Sequence, residues 1–219
     1  MGATVRMAVV TASLGPSGPS APMIPQAGVD VTHVPITDIE LPPRPCAMTP
    51  RLLARYPKCF GWEMAPGFDV YLWLDACLTL AHGGAAAWWL EQLGNAEFVA
   101  FRHPFRRTVG DEADFLREQV PNSRRLQQRY AGERLDAQMR AVVKPELPLL
   151  AAGAFMYRPT FLVTSALSRW WEHNTRYHLN DQLSLAYVLW RLCVPCETID
   201  LDIFHCPHLT VGTKPKALR

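Results

Sequence analysis

The residues with the most obvious chemical potential in this chain of 219 residues fall at a few places. Asp75 closes the run F-D-V-Y-L-W-L-D at 68–75, in which Asp69 is the only earlier charge. Such a run, bounded upstream by Pro66 and Gly67, reads as a buried strand of a mostly parallel sheet. A carboxylate at the C-terminal end of that strand sits where open α/β sheets bind ligands. The plainer alternative is that Asp75 caps the turn or helix that follows. Asp181 and Gln182 follow Asn180, a good N-cap, which places them in the first turn of a helix. The helix dipole alone favours a carboxylate there.

Three cations, Arg51, Arg55 and Lys58, recur three or four residues apart and so share one helix face. That pattern suits a solvated surface. Just before a strand that ends in a carboxylate, it also suits a diphosphate clamp. His103 and Arg106 lie in the basic stretch R-H-P-F-R-R at 102–107. Arg124, Arg125 and Arg129 form a further basic patch, of the kind that more often faces solvent.

Several elements must position these groups. Residues 5–12 are β-rich and lead from Thr11 into a small-residue loop whose backbone N–H groups could approach a nucleotide. Residues 29–34 form a second strand followed by Asp38, which can accept hydrogen bonds from a ribose or base or can start a turn. Residues 50–58 read as one or two helical turns halted by Pro57. Residues 85–93 form a helix ended by Gly94, and 97–101 a strand. Residues 111–138 are charged and helical. Residues 149–157 form a small, apolar strand in which Gly153 lets a ligand pass close to the backbone. Helices at 164–177 and 183–192 and a last strand at 197–204 complete the order. Pro-rich loops are expected near 16–25 and 41–50.

The chain is 49% hydrophobic with formal net charge +2. That suits a single domain over residues 1–219 and gives no strong signal for a polyanionic partner. No stretch reaches the roughly 20 apolar residues of a spanning helix, and the apolar run after Arg6 is too short for a signal sequence. The six cysteines are scattered and read as reduced thiols, so a cytoplasmic protein is expected.

Four motifs in order, A-R-Y-P-K at 54–58, Y-L-W-L-D at 71–75, H-P-F-R at 103–106 and N-D-Q-L-S-L-A-Y-V at 180–188, resemble those of the MUCI-type glycosyltransferase-like domains of plants and bacteria. Members of that family typically read R-x-x-K, W-I-D-G-N, H-P-x-R and R-D-Q-L-S-x-x-Y-V. The tail, with His208, Gly212, Lys214 and Pro215, is similar to that of glycogenin- and galactinol-synthase-type enzymes. The resemblance implies a GT-A fold, a Rossmann-like mixed α/β sheet flanked by helices, with the tail at 205–219 closing over the site. It implies transfer of a sugar from a nucleotide-diphosphate sugar to a polysaccharide, glycolipid, protein or modified nucleic-acid base, assisted by Mn²⁺ or Mg²⁺. Asp75 and His208, with His205 as the alternative, would hold the metal. Arg55, Lys58 and Lys214 would clamp the diphosphate, and Thr11 and Asp38 the nucleoside. Asp181 and Gln182 would meet donor or acceptor hydroxyls, with Asp181 a general base if the reaction inverts.

The family's D-G-N is Asp75-Ala76-Cys77 here. Hard cations prefer oxygen to a thiol. Either Asp75 and a tail histidine hold the metal together with the diphosphate, or metal dependence is weak, or the protein is a sugar-nucleotide-binding scaffold. A separate alternative is a zinc module from Cys193, Cys196, Cys206 and His208, which would carry suitable ligands at an unusual spacing.

Overall fold

The computed structural model describes residues 4–15, 22–41, 48–177 and 180–212. In chain order the elements are β1 (Arg6–Ala12), β2 (Asp30–Ile36), α1 (Pro50–Leu53), α2 (Arg55–Met64), β3 (Val70–Leu74), β4 (Leu78–Leu80), α3 (Ala85–Leu93), β5 (Phe98–Arg102), α4 (Val109–Asn122), α5 (Arg124–Tyr130), α6 (Leu135–Ala141), β6 (Leu150–Tyr157), α7 (Phe161–Arg176), α8 (Gln182–Arg191), β7 (Cys196–Ile199) and β8 (Leu209–Val211).

The main sheet has the order β2-β1-β3-β6-β5-β7. β1 pairs in parallel with β2 and β3, and β5 with β7, while β6 runs antiparallel to both β3 and β5. The fold is thus a mixed α/β sheet flanked by helices, less parallel than the strand composition alone suggests. All strands of this sheet but β6 end on one edge, and β6 begins there. That edge carries the loops after β1, β3 and β5 together with residues 148–153. A small antiparallel pair, β4 with β8, stands beside it.

Strand alternation divides the core between the two faces. Ala8, Val10, Tyr71 and Trp73 pack with Trp170, Leu183 and Val188, whereas Met7, Val9, Leu72 and Leu74 pack with Trp89, Leu93 and Ile203. Because side chains repeat with period two along a strand, Asp75 emerges on the side of Trp73, and Trp73 Nε1 donates to Asp75 Oδ1 at 3.0 Å.

Several sequence expectations are corrected. Pro57 does not halt its helix. It is the third residue of α2, where a backbone N–H has no intrahelical acceptor to lose. The charged stretch 111–138 is not one helix but α4, α5 and the start of α6, broken after Pro121 and again near Gly132, whose φ is +76°. The strand expected at 197–204 is only β7, and the chain then turns before β8.

Gly61 sets how closely α2 approaches the sheet. A Cβ there would lie 3.1 Å and 3.3 Å from the two Val10 methyl carbons, closer than core atoms normally pack. Gly61→Val is therefore expected to lose about 1–3 kcal/mol of stability through overpacking. Urea denaturation should show a lower midpoint with an unchanged slope, and a midpoint equal to the parent's would contradict this packing.

Candidate functional site

Helix α2 delivers two cations to the sheet edge. Lys58 is buried, its side chain only 3% exposed, and its Nζ lies 2.6 Å from Asp181 Oδ2 and 3.5 Å from Asp75 Oδ1. It also stands 5.6 Å from the ring centres of both Trp73 and Trp170. Arg55 Nε approaches the same Asp181 oxygen at 3.1 Å. An ammonium taken out of water is tolerated only when paired. Two carboxylates and two indole faces supply that pairing.

Asp181 opens α8 as its N-cap, one residue later than the sequence suggests, but its side chain makes no capping bond. Asn180 Oδ1 instead accepts from the Gln182 backbone N–H at 3.3 Å, and Trp170 Nε1 donates to the Asp181 carbonyl at 2.7 Å. The dipole-only account of Asp181 therefore fails: its carboxylate is turned to the cations. Burial pushes the Asp181 carboxyl up, but Arg55 and Lys58 outweigh burial and hold it below the usual carboxylate range.

Beside this pair lies a second buried carboxylate that the sequence reading missed. Glu112, on α4, accepts from Asn180 Nδ2 at 2.7 Å and pairs with Arg106, whose guanidinium covers the Phe115 ring at 4.1 Å. Burial raises the Glu112 carboxyl, against the pull of Arg106 and Asn180. Its only signal in the sequence was Glu112 falling among apolar positions of α4, easily lost in a charged stretch.

These groups line two cavities that meet at Asp75, Gly153 and Gln182. The inner one, about 280 Å³, is bounded by Arg55, Lys58, Arg106, Arg129, Glu112 and Asp181. The outer one, about 540 Å³, is bounded by His103, Arg125, Phe204 and Gly212 among others. Arg125 and Arg129, read as a solvated face, thus border the cavities. Gly153 lies where the β5–β6 register slips between Ala100 and Phe101. Its carbonyl accepts from the Asp75 N–H at 2.8 Å, and a Cβ on it would sit 3.5 Å from Asp75 Oδ2. A side chain there would fill the junction. His103 Nδ1 accepts from the N–H groups of Phe105 and Arg106, which leaves its proton on Nε2. Burial, helped by Arg106, lowers His103 to about 4, so it is neutral at pH 7.

Other expected site residues are not in this group. Thr11 Oγ1 bonds His33 Nε2 at 3.0 Å, and Asp38 Oδ2 accepts from the Gly15 N–H at 2.7 Å. Both lie at the ends of β1 and β2, on the same sheet edge, but line neither cavity. Arg51 stands over the Tyr130 ring at 5.7 Å, outside the Lys58 cluster. Lys214 lies outside the described residues.

The expected metal ligands are not brought together. His208 precedes β8 while Gly212, at the cleft, follows it. His208 stacks on Trp88 with ring centres 4.2 Å apart and contacts His82 at 3.0 Å. His205 Nδ1 pairs with Asp202 at 2.7 Å. Among the described residues no three His, Cys, Asp or Glu side chains converge as a metal site. That holds equally for Cys193, Cys196, Cys206 and His208: Cys206 is buried in the core, and Cys193 and Cys196 are exposed. Of the proposed ligands, Asp75 alone borders the cavities, its side chain 46% exposed.

No protein-family model matches the sequence, and no curated protein matches it. Solved structures with a similar chain path include glycosyltransferases. One is involved in glycosylating the major capsid of PBCV-1, at 10% identity and a TM-score of 0.47 over 89% of this chain and 81% of that one. The bifunctional glycosyltransferase WbbM matches at 10% identity and 0.43, over 78% of this chain and 28% of that one. The galactosyltransferase LgtC, bound to donor and acceptor sugar analogs, matches at 10% identity and 0.39, over 87% and 72%. Among the described residues no helix is long and apolar enough to cross a membrane.

Proposed function

We propose that this protein is a glycosyltransferase that moves a sugar from a nucleotide-diphosphate sugar to an acceptor hydroxyl. The observation that carries the reading is the Asp181–Lys58–Asp75 chain of charges, set at the sheet edge where two cavities meet. Four cations, Arg55, Lys58, Arg106 and Arg129, face three carboxylates, Asp75, Glu112 and Asp181, around the inner cavity. A surplus of cations suits an anionic group. Fixed carboxylates suit hydroxyls, which donate to them.

In the proposed reaction the acceptor oxygen bonds to the anomeric carbon as the bond from that carbon to the diphosphate oxygen breaks. The electron pair leaves with the nucleoside diphosphate, and the acceptor proton passes to solvent or to the leaving group. Arg55 and Lys58 neutralise charge that gathers on the diphosphate. Asp181 is a poor proton acceptor, because those same cations hold it ionised. It serves better as a fixed negative charge beside the positive charge that develops on the sugar ring. Gln182 and Asp75 bond sugar hydroxyls at the junction of the two cavities. The nucleoside lies over the ends of β1 and β2, near Thr11 and Asp38, next to the strand that ends in Asp75.

Among the described residues no three His, Cys, Asp or Glu side chains converge as a resident cation site. Asp75 would be the protein's ligand to a cation arriving with the diphosphate, since such a cation needs only one or two carboxylates, and the cation would supply Lewis-acid chemistry there. Purified protein is therefore expected to retain neither manganese nor zinc through gel filtration. Manganese binding, followed by electron paramagnetic resonance, is expected to appear only when a nucleoside diphosphate is added. Tightly held stoichiometric metal without nucleotide would contradict this assignment of donors.

Release of nucleoside diphosphate from a panel of nucleotide sugars tests the reaction itself. Release from one donor, accelerated by acceptor, is the expected result. Donor binding with no release on any acceptor would instead identify a sugar-nucleotide-binding scaffold, the reading that Cys77 at the third motif position favours.

A further inference from the structure

Phe204, which lines the outer cavity, and Phe105, whose ring lies beside it, have no role in the chemistry above. Phe105 is 70% exposed and Phe204 51% exposed. They come from separate loops, one after β5 and one after β7. Their rings lie nearly parallel, 22° apart, with centres separated by 6.3 Å. Large exposed aromatic surface of this kind marks a place where something binds.

Each ring is held on a fixed turn. The Phe204 N–H donates to Asp202 Oδ1 at 2.9 Å, and His205 holds the other Asp202 oxygen at 2.7 Å. The Phe105 N–H donates to His103 Nδ1 at 3.3 Å. An aromatic platform already fixed in place loses little conformational entropy when it is covered. Phe204 and Ile203 line the outer cavity, which continues to Asp75, Gly153 and Gln182. Its lining also includes the polar side chains of His103 and Arg125.

We infer that this cleft is the acceptor site, and that the acceptor is a saccharide whose pyranose ring lies against the Phe204 and Phe105 faces. The inference rests on the transferase reading. A pyranose presents C–H bonds on its faces and hydroxyls at its edges. The cleft matches both, with an aromatic wall for a ring face and Gln182, Arg125 and His103 for the edge hydroxyls. A hydroxyl of that ring then lies towards Asp75, at the junction with the donor cavity. His205, expected as a metal ligand, is on this account part of the turn that sets Phe204.

Saturation-transfer-difference NMR tests the inference on the intact chain. The probes are methyl α- and β-pyranosides of glucose, galactose, mannose and N-acetylglucosamine, with UDP or GDP at saturation. At least one pyranoside is expected to receive saturation at its ring C–H protons. Phe105→Ala with Phe204→Ala is expected to weaken that signal at least about fivefold while leaving nucleotide affinity unchanged. Far-UV circular dichroism confirms that the double variant is folded. If nucleotide binds and no pyranoside registers, or if the double variant registers as the parent does, the inference is overturned while the transferase reading stands. If no nucleoside diphosphate of a full panel (UDP, GDP, ADP, CDP, dTDP) binds, both fall together.

Discussion

Asp75→Ala is expected to lower sugar transfer about 10²–10³-fold, the range seen when one preorganised group at a reacting centre is removed, while the fold stays intact. Asp75 is the one acidic residue among the three, with Gly153 and Gln182, that border both cavities. It is also the half-exposed end of the charge chain, and Lys58 keeps the closer Asp181 carboxylate when Asp75 is gone. The melting temperature should therefore stay within a few degrees of the parent's. Steady-state assays with a matched melting curve separate the possibilities. Full turnover in a folded Asp75→Ala protein would remove this residue from the site. A loss of activity that tracks a loss of folding would make it structural.

Lys58→Met should act the other way, on stability first. The variant leaves the buried Asp181 carboxylate without its closest cation, with Arg55 still paired to it and Arg129 acting from farther off. Breaking a buried pair in this way costs about 3–5 kcal/mol, or roughly 6–20 °C in a chain of this size. The effect carries a pH signature. Burial raises the Asp181 carboxyl, but Arg55 and Lys58 hold it below the usual carboxylate range. Its stabilising contribution is thus present above the unfolded carboxylate value, near 4, and is lost as pH falls through the lower folded value. Without Lys58 that contribution shrinks. The gap between parent and variant should be widest near neutral pH and should close below about pH 4. A gap that widens on acidification would contradict the pairing.

How much of this was legible in the sequence depended on whether the signal was local. β3 and its terminal Asp75 stood out because a continuous apolar run stops on a charge. Asp181 and Gln182 stood out because an N-cap residue precedes an apolar helical repeat. Arg55 and Lys58 were found by helical spacing, though Pro57 between them was read as a stop. A proline in the first turn costs no hydrogen bond, and only the helix register shows which turn it occupies. Glu112 and Arg129 were not legible. Each lies in a charged stretch whose solvent face and cavity face look alike until α4 and α5 are docked beside α8. β4 and β8 were missed because strands this short are defined by their partner across 130 residues of chain, not by their own pattern. The tail histidines were placed by resemblance, and the pairing of β4 with β8 holds His208 beside Trp88 instead of at the cleft.

The most direct test of the central claim is a thermal-shift measurement of the parent protein against nucleotide sugars and nucleoside diphosphates. A ligand at a hundred times its dissociation constant adds about 2.7 kcal/mol, roughly 5–11 °C here. At least one nucleotide sugar is expected to give such a shift, and Lys58→Met, compared with its own ligand-free baseline, should lose most of it. If no nucleotide sugar at millimolar concentration moves the parent's melting temperature, the charge chain from Asp181 through Lys58 to Asp75 holds the fold together and receives no donor.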